Sequence, residues 1–326
     1  MTRHSLVTGG AGFIGSHLTE ALLSRGDHVT VVDDLSTGDK SNLADLRGHE
    51  RLQFIEGDVA DLAEQVVDDA DDVYHLAAAV GVELICRKTY ESIERNIWPT
   101  QRLLGAARKK VKAGGATRFF LASSSEVYGN NPGMAWTEDE TLVFGPSTEP
   151  RWSYGVSKLV DEFLALAAWR EFQVPVIIGR FFNVVGPRQT GNYGMVLPRF
   201  VEAAVAGRSL TVHDDGQQTR CFAHVEDVVA AVVDLMKTPA AVGRVFNIGS
   251  DAPVKILDLA EMVAAAVEST PEIQFQSYQQ AYGDEFQDVR RRVPDTTRLR
   301  ETIDFQPTKG LLEIIQQLID EAQSRQ

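Results

Sequence analysis

At 326 residues the chain is long enough for one large domain or two closely packed ones, and 44% hydrophobic with 24% charged residues is an ordinary globular composition. The formal net charge of -14 argues against nucleic acid or an anionic membrane surface as a partner. No apolar run approaches the roughly 18 residues that a membrane span needs. A strand that begins by Ser5 leaves no room for a signal peptide, so the cytoplasm is the expected location. Cys86 and Cys221 have neither disulfide-framework nor metal-ligand spacing; they read as packing residues, and no metal is expected.

The short apolar strand Ser5–Thr8 runs straight into Gly9, Gly12 and Gly15, spaced Gly-x-x-Gly-x-x-Gly, and a helix pattern follows from Ser16 to Arg25. Glycines there permit a tight turn, close approach of backbone to a pyrophosphate, and close packing of helix on strand. The glycine segment also carries Phe13 and Ile14, and the helix N-terminus that follows offers N–H groups to phosphates. The next strand, His28–Val32, ends at Asp33. A carboxylate there, about 20 residues beyond the glycines, accepts both hydroxyls of an adenosine ribose and repels a 2′-phosphate, which favours NAD over NADP. The alternative is that Asp33 only caps its strand. Leu52–Ile55 leads to Asp58 and Val59, where the aspartate can meet an adenine amino group. Asp72–Ala78 reads as a strand whose end, Leu76, Ala77 and Ala78, leaves space for a cofactor. Asn96 lies in a long helix pattern that runs to about Lys110.

Arg118–Ala122 is a buried strand that delivers Ser123–Glu126 to its carboxyl end, the edge at which open α/β sheets bind ligands. Trp152–Glu171 is a helix that carries Tyr154 and Lys158 one turn apart, on one side. Tyrosine ordinarily titrates near about 10, so a neighbouring ammonium is needed before its phenol can act as a base at neutral pH. A hydroxyl of Ser124 or Ser125 can then hold a substrate alcohol against it. On its own, the Tyr-x-x-x-Lys pair reads equally as an ordinary helix surface. With Val174–Ile178 the alternation makes a Rossmann-type doubly wound parallel sheet.

Beyond Val185 the rhythm changes. Residues 186–194 read as a loop, and a helix over about Met195–Ala206 and a strand Ser209–His213 follow. Arg220–His224 enters a helix to about Met236, Val245–Ile248 is a further strand, and Lys255–Glu268 and Gly310–Ala322 are amphipathic helices. The expected division is a dinucleotide-binding domain over 1–184, with parts of 215–250 returning to it, and a smaller interleaved substrate-binding lobe over 185–326. Arg188, Arg199, Arg220 and the run Arg290–Arg292 are the arginines that could gather around an anionic substrate; the run reads equally as a solvated patch.

The segment Thr8–Gly15 with Asp33, Asp58 and Val59, the segment Ser123–Tyr128, and Tyr154 with Lys158 resemble, in order and over nearly the whole chain, the extended short-chain dehydrogenase/reductases. These are the NAD-dependent nucleotide-sugar epimerases, dehydratases and decarboxylases. The resemblance implies NAD held by Gly9, Gly12, Phe13, Ile14, Gly15, Asp33, Asp58, Val59, Leu76, Ala77, Ala78, Asn96, Tyr154 and Lys158. It implies a UDP-sugar in the lobe, with Asn183 and Arg220 near the diphosphate and Arg188 and Arg199 among the substrate arginines. Tyr154 would be the base, Lys158 its electrostatic partner, and Ser124 or Ser125 the ligand of the substrate hydroxyl.

Three features resemble decarboxylases: Glu126 in Ser124–Gly129, the approach Pro150–Tyr154, and Tyr282–Pro294, which carries a catalytic arginine aligned with Arg292. Decarboxylation of UDP-glucuronate to a UDP-pentose through a 4-keto sugar is therefore the leading expectation. A UDP-sugar 4-epimerase, on UDP-glucuronate or UDP-glucose, is the alternative, since 186–195 is closer to proteins of that kind; Arg188 could hold a uronate carboxylate in either reaction. Dehydration is disfavoured because Ser125 stands where dehydratases carry an aspartate. A non-catalytic NAD-binding regulator is the remaining reading. By resemblance, helices near 83–110 and 152–172 would form a homodimer face.

Overall fold

The computed structural model describes residues 2–81, 85, 87–191, 195–282 and 288–325; Cys86, residues 192–194 of the expected loop and residues 283–287 of the C-terminal motif lie outside them. The first half of the chain forms β1 (His4–Thr8), α1 (Phe13–Arg25), β2 (His28–Asp33), β3 (Leu52–Glu56) and α2 (Val59–Asp68). It continues with β4 (Asp72–His75), α3 (Thr89–Lys112), β5 (Arg118–Ser124), α4 (Ser153–Phe172) and β6 (Val176–Phe181). Next come β7 (Val184–Val185), α5 (Val196–Val205), β8 (Leu210–His213), β9 (Thr219–Cys221), β10 (Ala223–His224), α6 (Val225–Lys237) and β11 (Arg244–Ile248). The chain closes with β12 (Pro253–Lys255), α7 (Ile256–Ala265), β13 (Ile273–Gln276), α8 (Tyr278–Tyr282), β14 (Arg291–Arg292), α9 (Thr297–Ile303) and α10 (Leu311–Ser324).

Seven strands pair in parallel in the order β11-β6-β5-β4-β1-β2-β3. Period-two alternation fills both faces. Along β5, Phe120 and Ala122 join a core shared with Leu18 and Leu22 of α1 and Val228 and Val232 of α6. Phe119 and Leu121 join the opposite core, with Leu103 and Ala107 of α3 and Ala165 and Ala168 of α4. The doubly wound parallel sheet expected from sequence is the one observed. Strand order reverses between β1 and β4, so the crevice for a ligand opens at their carboxyl ends.

The lobe has its own core, in which Leu197, Phe200 and Val201 of α5 meet Leu259 and Val263 of α7 and Ile314, Ile315 and Leu318 of α10. Its strands are short: β8 pairs with β13, β9 lies between β12 and β14, and β7 pairs with β10. Three boundaries around the crevice differ from expectation. The first helix starts at Phe13 rather than Ser16, because Gly12 already occupies the N-cap. The fourth strand stops at His75, so Leu76, Ala77 and Ala78 belong to the loop over the crevice. Trp152 ends a 3-10 turn, Pro150–Trp152, instead of opening α4. Except for β8, none of these short strands was read as one: two to four residues carry no periodicity, and their partners select them.

A buried polar network fixes the far side of the turn Ser125–Tyr128. Arg180 of β6 makes a bidentate pair with Glu162 of α4 at 2.9 and 2.7 Å, and Ser123 donates to the same carboxylate at 2.5 Å. The Arg180 guanidinium lies over the Tyr128 ring, 4.7 Å from its centre, and Tyr128 donates to Asn247 of β11 at 2.7 Å. Charge, ring and amide thus tie β5, β6 and β11 together beneath the turn.

Candidate active site

One cavity of about 1280 Å³ runs from the glycine turn to the lobe. It exceeds the roughly 300–1,000 Å³ of an ordinary ligand pocket, which leaves room for two ligands end to end. At the glycine end, Gly9 has φ +71°, and a Cβ on it would lie 2.8 Å from Ala77 N. A Cβ on Gly15 would lie 2.0 Å from the Gly9 carbonyl oxygen, so only glycine lets α1 start against this turn. No side chain caps α1, and its leading N–H groups remain for an anion. Phe13 and Ile14 line the cavity there, as do Val59, Leu76, Ala77 and Ala78.

Asp33 accepts from Ala11 N–H at 2.9 Å and Leu35 N–H at 2.9 Å, which aims its carboxylate at the cavity rim. Burial raises the pKa of this carboxyl. Asp58 caps α2 through one oxygen, bonded to Ala60 N–H at 2.8 Å. These features fit an adenine dinucleotide: a cradle a Cβ would fill, an uncapped helix and a carboxylate at the ribose position. Asn96 is a departure. It is buried away from the cavity wall, accepts from Ala79 N–H at 2.8 Å and donates to Ser157 at 3.0 Å. Its two hydrogen bonds tie the loop after β4 to α4, so it shapes the crevice from behind.

Midway, α4 comes against the turn Ser125–Tyr128 because Gly155 has no side chain; a Cβ there would lie 2.4 Å from the Glu126 carbonyl oxygen. This contact brings Tyr154 beside the end of β5. Ser124 Oγ accepts from Glu126 N–H at 3.2 Å and is hydrogen-bonded to Tyr154. Ser125 lines the same wall. Lys158 is buried, and its Nζ donates to Asp161 at 3.4 Å. In this structure the Lys158 ammonium is paired with Asp161. Burial and the Glu126 carboxylate push the Tyr154 phenol above its ordinary range, Asp161 adds to that, and Ser124 and Arg292 act the other way.

Glu126 sits between two guanidiniums. Arg151 reaches it bidentately at 2.7 and 3.1 Å, and Arg292 reaches it at 2.7 Å. Burial alone would raise the Glu126 carboxyl, but the arginines outweigh it and hold the group far below the usual carboxylate range. The run 290–292 is resolved by these contacts. Arg290 pairs with Asp215 at the surface, Arg291 donates to the Met134 carbonyl at 2.6 Å, and Arg292 turns into the cavity. Arg151 was read only as part of a motif; nothing in its spacing announces that it clamps Glu126.

At the lobe end, Asn183 donates to the Cys221 carbonyl at 2.9 Å, and Arg199 lies 3.2 Å from His213 Nε2. Arg220 pairs with both oxygens of Asp288 at 2.9 and 2.8 Å. Tyr278 donates to Asp288 at 2.5 Å and stacks on His213, their ring centres 5.7 Å apart. His213, Gln218, Tyr278 and Asp288 line this end and were missed, since they come from separate short elements. Arg188 is the second departure. With φ +68°, it donates to Ser16 at 3.2 Å and pairs with Glu20 at 2.6 Å, both on α1. Its charge is paired at the glycine end, and the residue also lines the cavity.

A parallel sheet with a glycine turn at its switch point and a serine, a tyrosine and a lysine beside it define an extended short-chain dehydrogenase/reductase, and the chain belongs to that family. The family model described as GDP-mannose 4,6 dehydratase matches residues 6–318. A UDP-N-acetyl-alpha-D-glucosaminuronate decarboxylase of Bacillus cytotoxicus is 37% identical over 323 residues, 97% of this chain and 98% of its own. UDP-glucuronic acid decarboxylase 1 of Arabidopsis thaliana is 34% identical over 98% of this chain and 70% of its own. The UDP-glucuronic acid 4-epimerase of Bacillus cereus, in complex with UDP-glucuronic acid and NAD, has a TM-score of 0.88 at 30% identity, covering 99% of this chain and 100% of that one.

Proposed function

We propose that the protein is an NAD-dependent UDP-uronate decarboxylase that converts UDP-glucuronate to a UDP-pentose through a 4-keto sugar. The observation that carries this reading is the Arg151–Glu126–Arg292 cluster beside Tyr154. Two largely buried guanidiniums converge on Glu126 beside Tyr154 and make this wall of the site electropositive. An anionic sugar suits such a wall better than a neutral hexose.

NAD, when bound, accepts a hydride from C4 of the sugar and returns it in each turnover. Tyr154 takes the proton of the 4-hydroxyl, and Ser124 and Ser125 hold that oxygen in line. The ketone at C4 then lies β to the carboxylate. The bond from C5 to the carboxylate breaks, its electron pair moves toward the C4 oxygen, and carbon dioxide leaves. C5 takes a proton from water, and Tyr154 returns its proton to O4. Glu126, held ionised, keeps Arg292 in place and orients that water rather than acting as the acid. Arg188 is paired with Glu20 of α1, so the reading does not use it as a carboxylate clamp.

Incubation of the purified protein with NAD and either UDP-glucuronate or its 2-acetamido counterpart, followed by product mass and sugar proton spectra, tests the proposal. Loss of carbon dioxide supports it. Unchanged mass with an inverted C4 establishes a 4-epimerase and overturns it. We place the enzyme in the cytoplasm as a homodimer built on α3 and α4. These neighbouring helices leave Trp98, Val156 and Phe163 exposed at 51%, 41% and 66%, an apolar surface that a second copy would cover. Among the described residues, no helix is long and apolar enough to cross a membrane.

A further inference from the structure

We propose that Asp161 is a positioning residue: it competes with Tyr154 for Lys158, so the aspartate–lysine pair, rather than the lysine alone, sets when the tyrosine releases its proton. The proposal rests on the reading of Tyr154 as the base. Residues three and four apart share one side of a helix, so Tyr154, Lys158 and Asp161 form a single cluster on α4. The Asp161 side chain has no solvent exposure and that of Lys158 has 3%, with Nζ 3.4 Å from the carboxylate. A buried ammonium needs an anion. Two share its side of α4: the Asp161 carboxylate, 3.4 Å away, and, one turn back, the Tyr154 phenolate once formed. The carboxylate holds it here.

Other titratable and charged groups also face this cluster. His75 of β4 faces it through Thr100 of α3: its Nε2 lies 3.0 Å from the Thr100 hydroxyl and its Nδ1 2.8 Å from Thr8. It is kept neutral by burial and by the Lys158 charge. Glu162, next along α4, is satisfied by Arg180. Glu126 from the turn after β5 opposes the phenolate, and Arg292 of β14 favours it. Asp161 opposes it too, and it also holds the Lys158 ammonium on the same side of the helix.

The test is a tyrosinate absorbance titration of the full chain, with the Tyr154→Phe variant subtracted to isolate Tyr154. Asp161→Asn keeps the shape and removes the charge, so the Tyr154 band should appear at a pH lower by about one unit or more. Asp161→Glu keeps the carboxylate and should restore the original midpoint; Asp161→Ser takes the place of the asparagine variant if that one does not fold. With NAD and substrate, the acid limb of kcat/KM should move the same way as the titration. An unmoved or raised Tyr154 midpoint in Asp161→Asn or Asp161→Ser overturns the proposal. A lowered midpoint in a protein that releases no carbon dioxide would sink the proposed reaction while leaving the role of Asp161 standing.

Discussion

Glu126 keeps its charge because Arg151 and Arg292 flank it, and removing that charge has two separate effects. Glu126→Gln leaves two largely buried guanidiniums without their carboxylate, which should cost about 3 kcal/mol of stability by denaturant unfolding. It should also slow carbon dioxide release more than the initial reduction of NAD, followed by absorbance in a single turnover; equal slowing would make Glu126 purely structural. Tyr154→Phe should lower turnover by roughly 10²–10⁴-fold while NAD still binds in calorimetry. Turnover near the original rate would remove Tyr154 from the mechanism. His75 gives a prediction in pH. Burial pulls its imidazole down to about 3, whereas the unfolded chain takes up that proton near about 6.5. The folded value lies below the unfolded one, so its contribution is complete above about 6.5 and is lost as pH falls toward 3. Unfolding free energy should therefore drop by up to about 1.4 kcal/mol per unit across this window. His75→Gln should flatten the slope, and an unchanged slope would assign the acid sensitivity elsewhere.

At the scale of elements, what sequence could convey depended on how much of each element is self-specified. β1, β2, β5 and β6 are runs buried on both faces, so their apolar character is local and they were legible. The glycine turn was legible too, because the close approach of Gly15 to Gly9 demands glycine whatever lies beyond. Arg291–Arg292 becomes a strand only through pairing with Thr219–Arg220, a choice that no periodicity records. The same holds for the site. Tyr154 and Lys158 lie on one helix and could be paired from spacing, whereas Arg151 and Glu126 meet only because Gly155 lets α4 close on the turn. Asp161 was within reach of the same spacing argument but lacked the burial that gives it meaning. Gly155→Val should push α4 off the turn, costing about 1–3 kcal/mol through overpacking and lowering activity before the fold is lost. A crystal structure with the turn unmoved would contradict this.

For the whole molecule, the surface of α3 and α4 decides whether two copies meet. Phe163→Asp puts a charge into the proposed apolar contact and should shift the protein from dimer to monomer in sedimentation; an unshifted dimer would place the contact elsewhere. The pairing of Glu126 with Arg292 also has a consequence for how the protein is made. Synthesis runs from the N-terminus at about 5–20 residues per second, so the glycine turn, β5 and α4 leave the ribosome well before Arg292 does. The open edge of β6 waits in the same way for Arg244–Ile248. For those seconds the nascent chain carries a dinucleotide crevice with an exposed strand edge, and a Glu126 with only Arg151 to neutralise it. Under the proposed reaction, competence for a charged sugar is thus acquired late, and a chain stalled before β14 would be born with its glycine turn but without the arginine assigned to the sugar end.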